Sequence, residues 1–346
     1  MSHVLVTGGA GFFGGILKRH LLRERYRVTS VDRVPDASWH PRLTKICGDL
    51  RDPWLLNSAF RRGPFDAVFH CAATLAHGMH VDEDDVWTSN VNATRMLAEA
   101  CRANGVPKLI FMSTNCLWAA NSGHPICEDE TPAPAEIYGQ SKLAAEHVLC
   151  GYGHDLEIVI LRCPTIIDRG RLGLLAILFE FIQDGRTVWV VGDGGNRYQF
   201  IYAEDLVRAC MAAMRPGVSD IFHVGSERVK PLREVYQAVI EEAGSRSRVR
   251  SLPRKATLAA MRLAHRMGVS PLGPYHYGMI AENFLFDTTK IRQRLGWRPT
   301  LTNEQMLTQA YRYYASRREE IVRRTNASAH SMAAPMGVIR LLKWVS

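Results

Sequence analysis

His3-Val-Leu-Val-Thr7 runs directly into Gly8-Gly-Ala-Gly-Phe-Phe-Gly14, and the reading of this stretch decides the fold. A short apolar β-type run, a glycine-rich turn and the start of a helical pattern follow one another without a spacer. Gly8, Gly11 and Gly14 stand at the G-x-x-G-x-x-G spacing, a variant of the dinucleotide fingerprint. The first glycine permits a tight turn, the second lets backbone N–H groups approach a pyrophosphate, and the third lets helix pack on strand. Asp32 closes the next β-type run, where a carboxylate accepts both hydroxyls of an adenosine ribose and repels a 2′-phosphate. Arg33 beside it pulls the other way by accommodating a phosphate, so the pair favours NAD over NADP without excluding the latter.

Outward from this unit, β-type runs at 4–6, 27–31, 44–47, 67–69, 109–112 and 157–161 alternate with helical patterns at 15–25, 53–61, 86–104 and 138–150. Continuous apolar strands alternating with amphipathic helices predict a parallel sheet covered on both faces. The fold class is therefore α/β, a doubly wound parallel sheet of the Rossmann type with a smaller C-terminal substrate lobe. Residues 1–165 are expected to form the NAD-binding domain, with returns to the sheet near 196–226. Residues 166–315 form the interleaved lobe, with helices near 172–184 and 232–243, strands at 189–191 and 221–224, and a helix beginning near Ala203. Residues 316–346 form a basic tail with an amphipathic end.

With 346 residues, 47% hydrophobic and 22% charged, the chain can bury a large core, which excludes disordered, collagenous and polytopic membrane classes. The net charge of +9 is uneven: residues 228–266 hold ten Lys and Arg against three acids. Such a patch suits an anionic partner. Nucleic acid is disfavoured, because no aromatics interleave the basic run and no helix-turn-helix, RNP or zinc-finger spacing occurs. The eight cysteines lie mostly in apolar runs and contain no C-x-x-C, as expected of reduced thiols. Met1 leads at once into the first strand, leaving no room for a secretory leader, and a cytoplasmic location is expected.

Tyr138-Gly-Gln-Ser-Lys142 places a phenol and an ammonium at i and i+4, on one helical face. A phenol with pKa near 10 is a poor base, but a neighbouring Lys cation and an oxidised nicotinamide favour its phenolate. It can then take a hydroxyl proton while hydride leaves the same carbon. Thr114, 24 residues earlier and just past the fifth strand, can hydrogen-bond the same substrate oxygen.

On these motifs the chain resembles the extended short-chain dehydrogenases/reductases of the NAD-dependent epimerase/dehydratase family, over nearly all of residues 3–315. The matching pieces include Cys47-Gly-Asp-Leu50, His70-Cys-Ala-Ala73, Asn90-Val-Asn-Ala-Thr94 (Ala93 replacing the usual Gly) and the stretch from Glu128 to Glu146. Gly192 to Asp205 and Leu295-Gly-Trp-Arg-Pro299 match further landmarks. The resemblance implies NAD held by Gly8, Gly11, Phe12, Phe13, Gly14, Asp32, Asp49, Leu50, Ala72, Ala73, Asn90, Tyr138 and Lys142. It implies Thr114, Tyr138 and Lys142 as catalytic residues. It also implies a nucleotide-diphosphate sugar as substrate, contacted by Arg197 at the diphosphate and by Thr165 and Cys116, and a homodimer. Thr165 stands where many relatives carry Asn.

The family's sugar 4,6-dehydratases place Asp-Glu directly after the threonine, because elimination needs a second acid and base. This chain has Asn115-Cys116, and related decarboxylases' Glu is also absent. What remains is a 4-epimerase acting through a transient keto intermediate, or a dehydrogenase of a sugar or lipid-like alcohol. A 3,5-epimerase using Cys116 stays open as well. His77 and His80 lack carboxylate or cysteine neighbours, so no metal is expected. Residues 270–277, rich in Pro and Tyr, either shape acceptor specificity or join helices. On a helix, Val338, Leu341, Leu342 and Val345 share an apolar face opposite Arg340 and Lys343, so residues 336–346 either touch an anionic membrane weakly or pack on protein.

Overall fold

A computed structural model of the chain describes residues 2–76, 81–118, 123–173, 175–267 and 274–323. His77, His80, residues 270–273 of the 270–277 run and the whole 336–346 segment lie outside the described residues.

Seven parallel strands form the central sheet: β1 (His3–Thr7), β2 (Arg27–Asp32), β3 (Leu43–Cys47), β4 (Ala67–His70), β5 (Lys108–Thr114), β6 (Glu157–Cys163) and, late in the chain, β10 (Asp220–His223). Their spatial order is β10-β6-β5-β4-β1-β2-β3, so the chain reverses direction across the sheet between β1 and β4. A crevice opens at the carboxyl ends of the strands at such a reversal. The register of β1 sets Thr7 beside Val31 of β2 on one side and His70 of β4 on the other.

Both faces of the sheet are covered, and the parity of the strand residues shows how. Val4, Val6, Phe69, Ile110 and Leu161 pack against α1 (Phe12–Arg23) and α7 (Ala203–Ala213). Leu5, Val68, Leu109, Phe111 and Ile160 face the other way, onto α2 (Pro53–Phe60), α4 (Ala93–Ala103) and α5 (Ile137–Cys150). With no polar face there, the inner stretches of β1, β4, β5 and β6 read as unbroken apolar runs, whereas the edge strand β3 is partly exposed. The 86–104 pattern is not one helix. It divides into α3 (Glu83–Trp87), a π-helical turn at Thr88–Asn92 and α4. The wide turn carries Asn90 into the interior, where its side chain bonds both backbone groups of Thr74.

The rest of the chain builds a second core from α6 (Leu175–Gln183), α8 (Leu232–Glu242) and α12 (Asn303–Ser316), with Phe179, Ile182, Val235, Val239, Met306 and Leu307 fully or nearly buried. Two short parallel pairs flank it: β7 (Thr165–Ile167) with β9 (Phe200–Tyr202), and β8 (Val188–Val191) with β11 (Val249–Leu252). The strand read at 189–191 thus pairs outside the main sheet, whereas the one read at 221–224 joins it. Helices α9 (Arg254–Arg266), α10 (Pro274–Ala281), α11 (Thr289–Leu295) and α13 (Arg318–Arg323) complete the described chain.

Candidate active site

The glycine-rich turn sits at the reversal point. Gly8 has φ +71°, and a Cβ there would lie 2.7 Å from the Ala72 nitrogen after β4. A Cβ on Gly14 would lie 2.1 Å from the Gly8 carbonyl oxygen, so α1 can start this close to the turn only with glycine at both positions. Gly11 donates to the Gly8 carbonyl and caps α1 with no side chain, leaving the first helical turn, Phe12, Phe13 and Gly14, without a side-chain cap or an acidic residue. That is a cradle shaped for a pyrophosphate. The Arg171 guanidinium lies over the Phe12 ring at 5.7 Å, and Phe13 is buried in the core.

Asp32, half-buried at the end of β2, accepts from the Ala10 N–H (2.9 Å) and the Val34 N–H (3.0 Å). Arg33 does not stand free beside it. It pairs with Asp85 (3.3 Å) and donates to the Thr74 hydroxyl (2.9 Å). Asp49 is held by Arg51, whose hydrogen bonds keep the Asp49 carboxyl below the usual carboxylate range, and Leu50 beside it is buried. Arg33 and Arg51 already face Asp49 and Asp85, so neither of these two cations is uncommitted for a 2′-phosphate. The residues present fit NAD. Ala72 is half-buried and Ala73 exposed along the opposite wall.

Thr114 ends β5, nearly buried, and its hydroxyl accepts from the Cys116 N–H, starting a 3₁₀ turn at Asn115–Leu117. Tyr138 is the second residue of α5. The two elements meet at Gly139, where a Cβ would lie 2.2 Å from the Cys116 carbonyl oxygen. One turn on, Lys142 is 2% exposed, with its ammonium 3.8 Å from the centre of the Phe111 ring. Burial pulls its pKa down to about 8, against the opposing influence of Glu146, Cys163 and Cys71. Thr114 and Lys142 therefore lie at the carboxyl ends of β4, β5 and β6, with Tyr138 one turn before Lys142 on α5.

Cys116 and Asn115 bear on the choice of chemistry. Burial pushes the Cys116 thiol up to about 12, which keeps it protonated at neutral pH. The Asn115 amide donates to the Tyr198 hydroxyl (2.8 Å), putting a buried, neutral, committed group where elimination would need an acid. Tyr198 follows Arg197, an exposed residue whose guanidinium donates to the Val229 carbonyl. Thr165 opens β7 opposite Phe200.

Sequence reading missed a set of buried polar partners. The Thr94 hydroxyl donates to the Asn90 carbonyl, so it accepts from His70 Nε2–H (2.8 Å), and His70 Nδ1 then accepts from the Thr7 hydroxyl (2.7 Å). Burial, helped by Lys142, holds His70 neutral with its pKa down to about 3. Asn90 also donates to Ser141, which donates to the Tyr138 carbonyl. A second set lies beneath Lys142: Glu146, almost fully buried, accepts from Ser113 and takes a two-pronged bond from Arg162. The sequence signal for Glu146 was its place at the end of the family-like stretch from Glu128, one turn after Lys142. Among the described residues, no cluster of three His, Cys, Asp or Glu side chains could hold a metal ion, and no helix is long and apolar enough to cross a membrane.

Comparison with known proteins agrees with this geometry. The model of the NAD dependent epimerase/dehydratase family matches residues 4–225. An uncharacterized protein of Sinorhizobium fredii is 33% identical, with the match covering 98% of this chain and 85% of the relative. UDP-arabinose 4-epimerase 1 of Arabidopsis thaliana is 28% identical over 90% of this chain and 79% of its own length. Among solved structures, the UDP-glucose 4-epimerase of Thermotoga maritima, solved with UDP-glucose, superposes with a TM-score of 0.75 at 24% identity, covering 91% of this chain and 99% of that one. The UDP-glucuronic acid 4-epimerase of Bacillus cereus, in complex with NAD, gives 0.72 at 23% identity, covering 91% and 99%. At such identities the superpositions show a shared fold.

Proposed function

The chain belongs to the NAD-dependent epimerase/dehydratase family, and we propose that it is a nucleotide-sugar epimerase acting at C4 through a transient keto sugar. The observation that carries this reading is the buried Lys142 cation one helical turn from Tyr138, on a helix that closes against the turn after Thr114. NAD would be held by the Gly8–Gly14 cradle, by Asp32 at the adenosine ribose, by Asp49 and Leu50 at the adenine, and by Ala72, Ala73, Asn90, Tyr138 and Lys142 toward the nicotinamide. When bound, it supplies a reversible hydride acceptor.

The chain's own residues do the proton chemistry. The Lys142 charge favours the Tyr138 phenolate, which takes the proton of the sugar 4-hydroxyl. The Thr114 hydroxyl bonds the same oxygen and orients it. Once the keto sugar has turned its other face, the Tyr138 phenol returns the proton to that oxygen. Arg197 is the cation proposed to face the diphosphate, with Thr165 and Cys116 lining the sugar. The neutral Cys116 thiol favours C4 chemistry over a 3,5-epimerase, which would need Cys116 to exchange protons. The committed Asn115 amide disfavours dehydration. The reading includes a cytoplasmic homodimer.

The test is a panel of UDP-sugars with the purified protein, its co-purifying cofactor identified by mass spectrometry. The expected result is bound NAD and interconversion of one pair of C4 epimers. Tyr138→Phe should cut turnover by roughly 10² or more while the cofactor stays bound. NADH accumulating in proportion to product would overturn the epimerase reading in favour of a dehydrogenase.

A further inference from the structure

Helix α9 is 13 residues long, contains no acidic residue and buries none of its residues. Its half-buried positions, Thr257, Leu258, Met261, Ala264 and His265, fall on one side at 100° per residue. That side rests on α10, where the Tyr277 hydroxyl donates to the Met261 carbonyl (3.1 Å). Arg254 pins the start of the helix to Glu282. The opposite side is divided lengthwise. Leu263 (59% exposed) and Met267 (65% exposed, just past the helix end) stand in line with exposed alanines, and Lys255, Arg262 and Arg266 form an exposed stripe alongside. No carboxylate among the described residues pairs with those three cations. Arg246, Arg248 and Arg250, also exposed, extend the positive field along the strand leading into the helix.

Two exposed apolar side chains bordered by a one-sided cationic stripe suit a surface that offers hydrocarbon and negative charge together. A second copy of the chain would bring one basic stripe against another. We propose that α9 docks the protein on an anionic lipid surface, with Leu263 and Met267 entering the headgroup boundary and Lys255, Arg262 and Arg266 meeting lipid phosphates. The proposal does not depend on the catalytic reading.

The test is co-sedimentation of the full chain with vesicles containing about one quarter phosphatidylglycerol, compared with pure phosphatidylcholine. The wild type should pellet only with the anionic vesicles, and high salt should release it. Each cation lost should weaken partition about fivefold. The triple variant Lys255→Glu, Arg262→Glu, Arg266→Glu and the double variant Leu263→Asp, Met267→Asp should each lose at least about tenfold. Both should melt like the wild type, because every substituted side chain is exposed. No binding by the wild type would overturn the proposal. So would variants that pellet as the wild type does, which would place binding elsewhere, as in residues 336–346.

Discussion

Burying the Lys142 ammonium against the Phe111 ring strains the fold in the same way that it equips the site. Its pKa of about 8 lies below the ordinary 10.5, so the unfolded chain holds this proton more tightly. Stability therefore rises as pH goes from about 8 to 10.5, and below 8 the full penalty applies, about 3 kcal/mol as an upper bound. Lys142→Met should raise the urea midpoint at pH 7, with both proteins stripped of cofactor, and should abolish most turnover. The gain should shrink as pH climbs through that window. A midpoint below wild type would show that the cation is not held at a cost. The wild-type rate should in turn fall above pH 8, as Lys142 loses the charge that supports the Tyr138 phenolate.

At the scale of elements, the junction of β5 and α5 is set by contact at one glycine. Gly139→Ala would place its methyl carbon against the Cys116 carbonyl and 2.9 Å from Pro134, so the first turn of α5 must retreat from the Thr114 turn. Overpacking of this kind costs about 1–3 kcal/mol. The expected outcome is a modest loss of melting temperature and at least a tenfold loss of turnover, because Tyr138 moves with the helix. Unchanged turnover would show that this contact does not set the site.

The strands were legible because both sheet faces are covered, which makes runs such as Val4 to Val6 apolar at every position. Tyr138 and Lys142 were legible because they share one helix. The π turn at Thr88–Asn92 was not, since what breaks the helix is Asn90 bonding Thr74 and Ser141 across the fold. Glu146 and Arg162 were hidden for the same reason: their partnership joins α5 to β6. The partner of β8 was hidden by its polarity, since Arg250 and Ser251 between Val249 and Leu252 are both exposed.

Over the whole molecule, at least two buried histidines are held neutral. His70 and His223 are each lowered to about 3, chiefly by burial, with Lys142 and Arg162 respectively adding repulsion. Both keep ordinary pKa values near 6.5 when unfolded, so the stability they confer is complete above pH 6.5 and is lost as pH falls toward 3. Two protons taken up on unfolding give a slope of about 2.7 kcal/mol per pH unit through that window. Urea midpoints measured between pH 6.5 and 5 should show it, before most carboxylates titrate. An uptake of less than one proton would mean that these histidines are not both buried neutral.

The central claim is that one phenol, one ammonium and one hydroxyl carry a reversible oxidation at C4, and the hydrogen on that carbon tests it most directly. A UDP-sugar deuterated at C4 is allowed to react in ordinary water, and both epimers are examined by NMR. The account predicts that deuterium stays on C4 in substrate and product alike, that no solvent hydrogen enters C3 or C5, and that Tyr138→Phe slows the interconversion by roughly 10² or more. Loss of the label to water, or solvent exchange at C3 or C5, would contradict it.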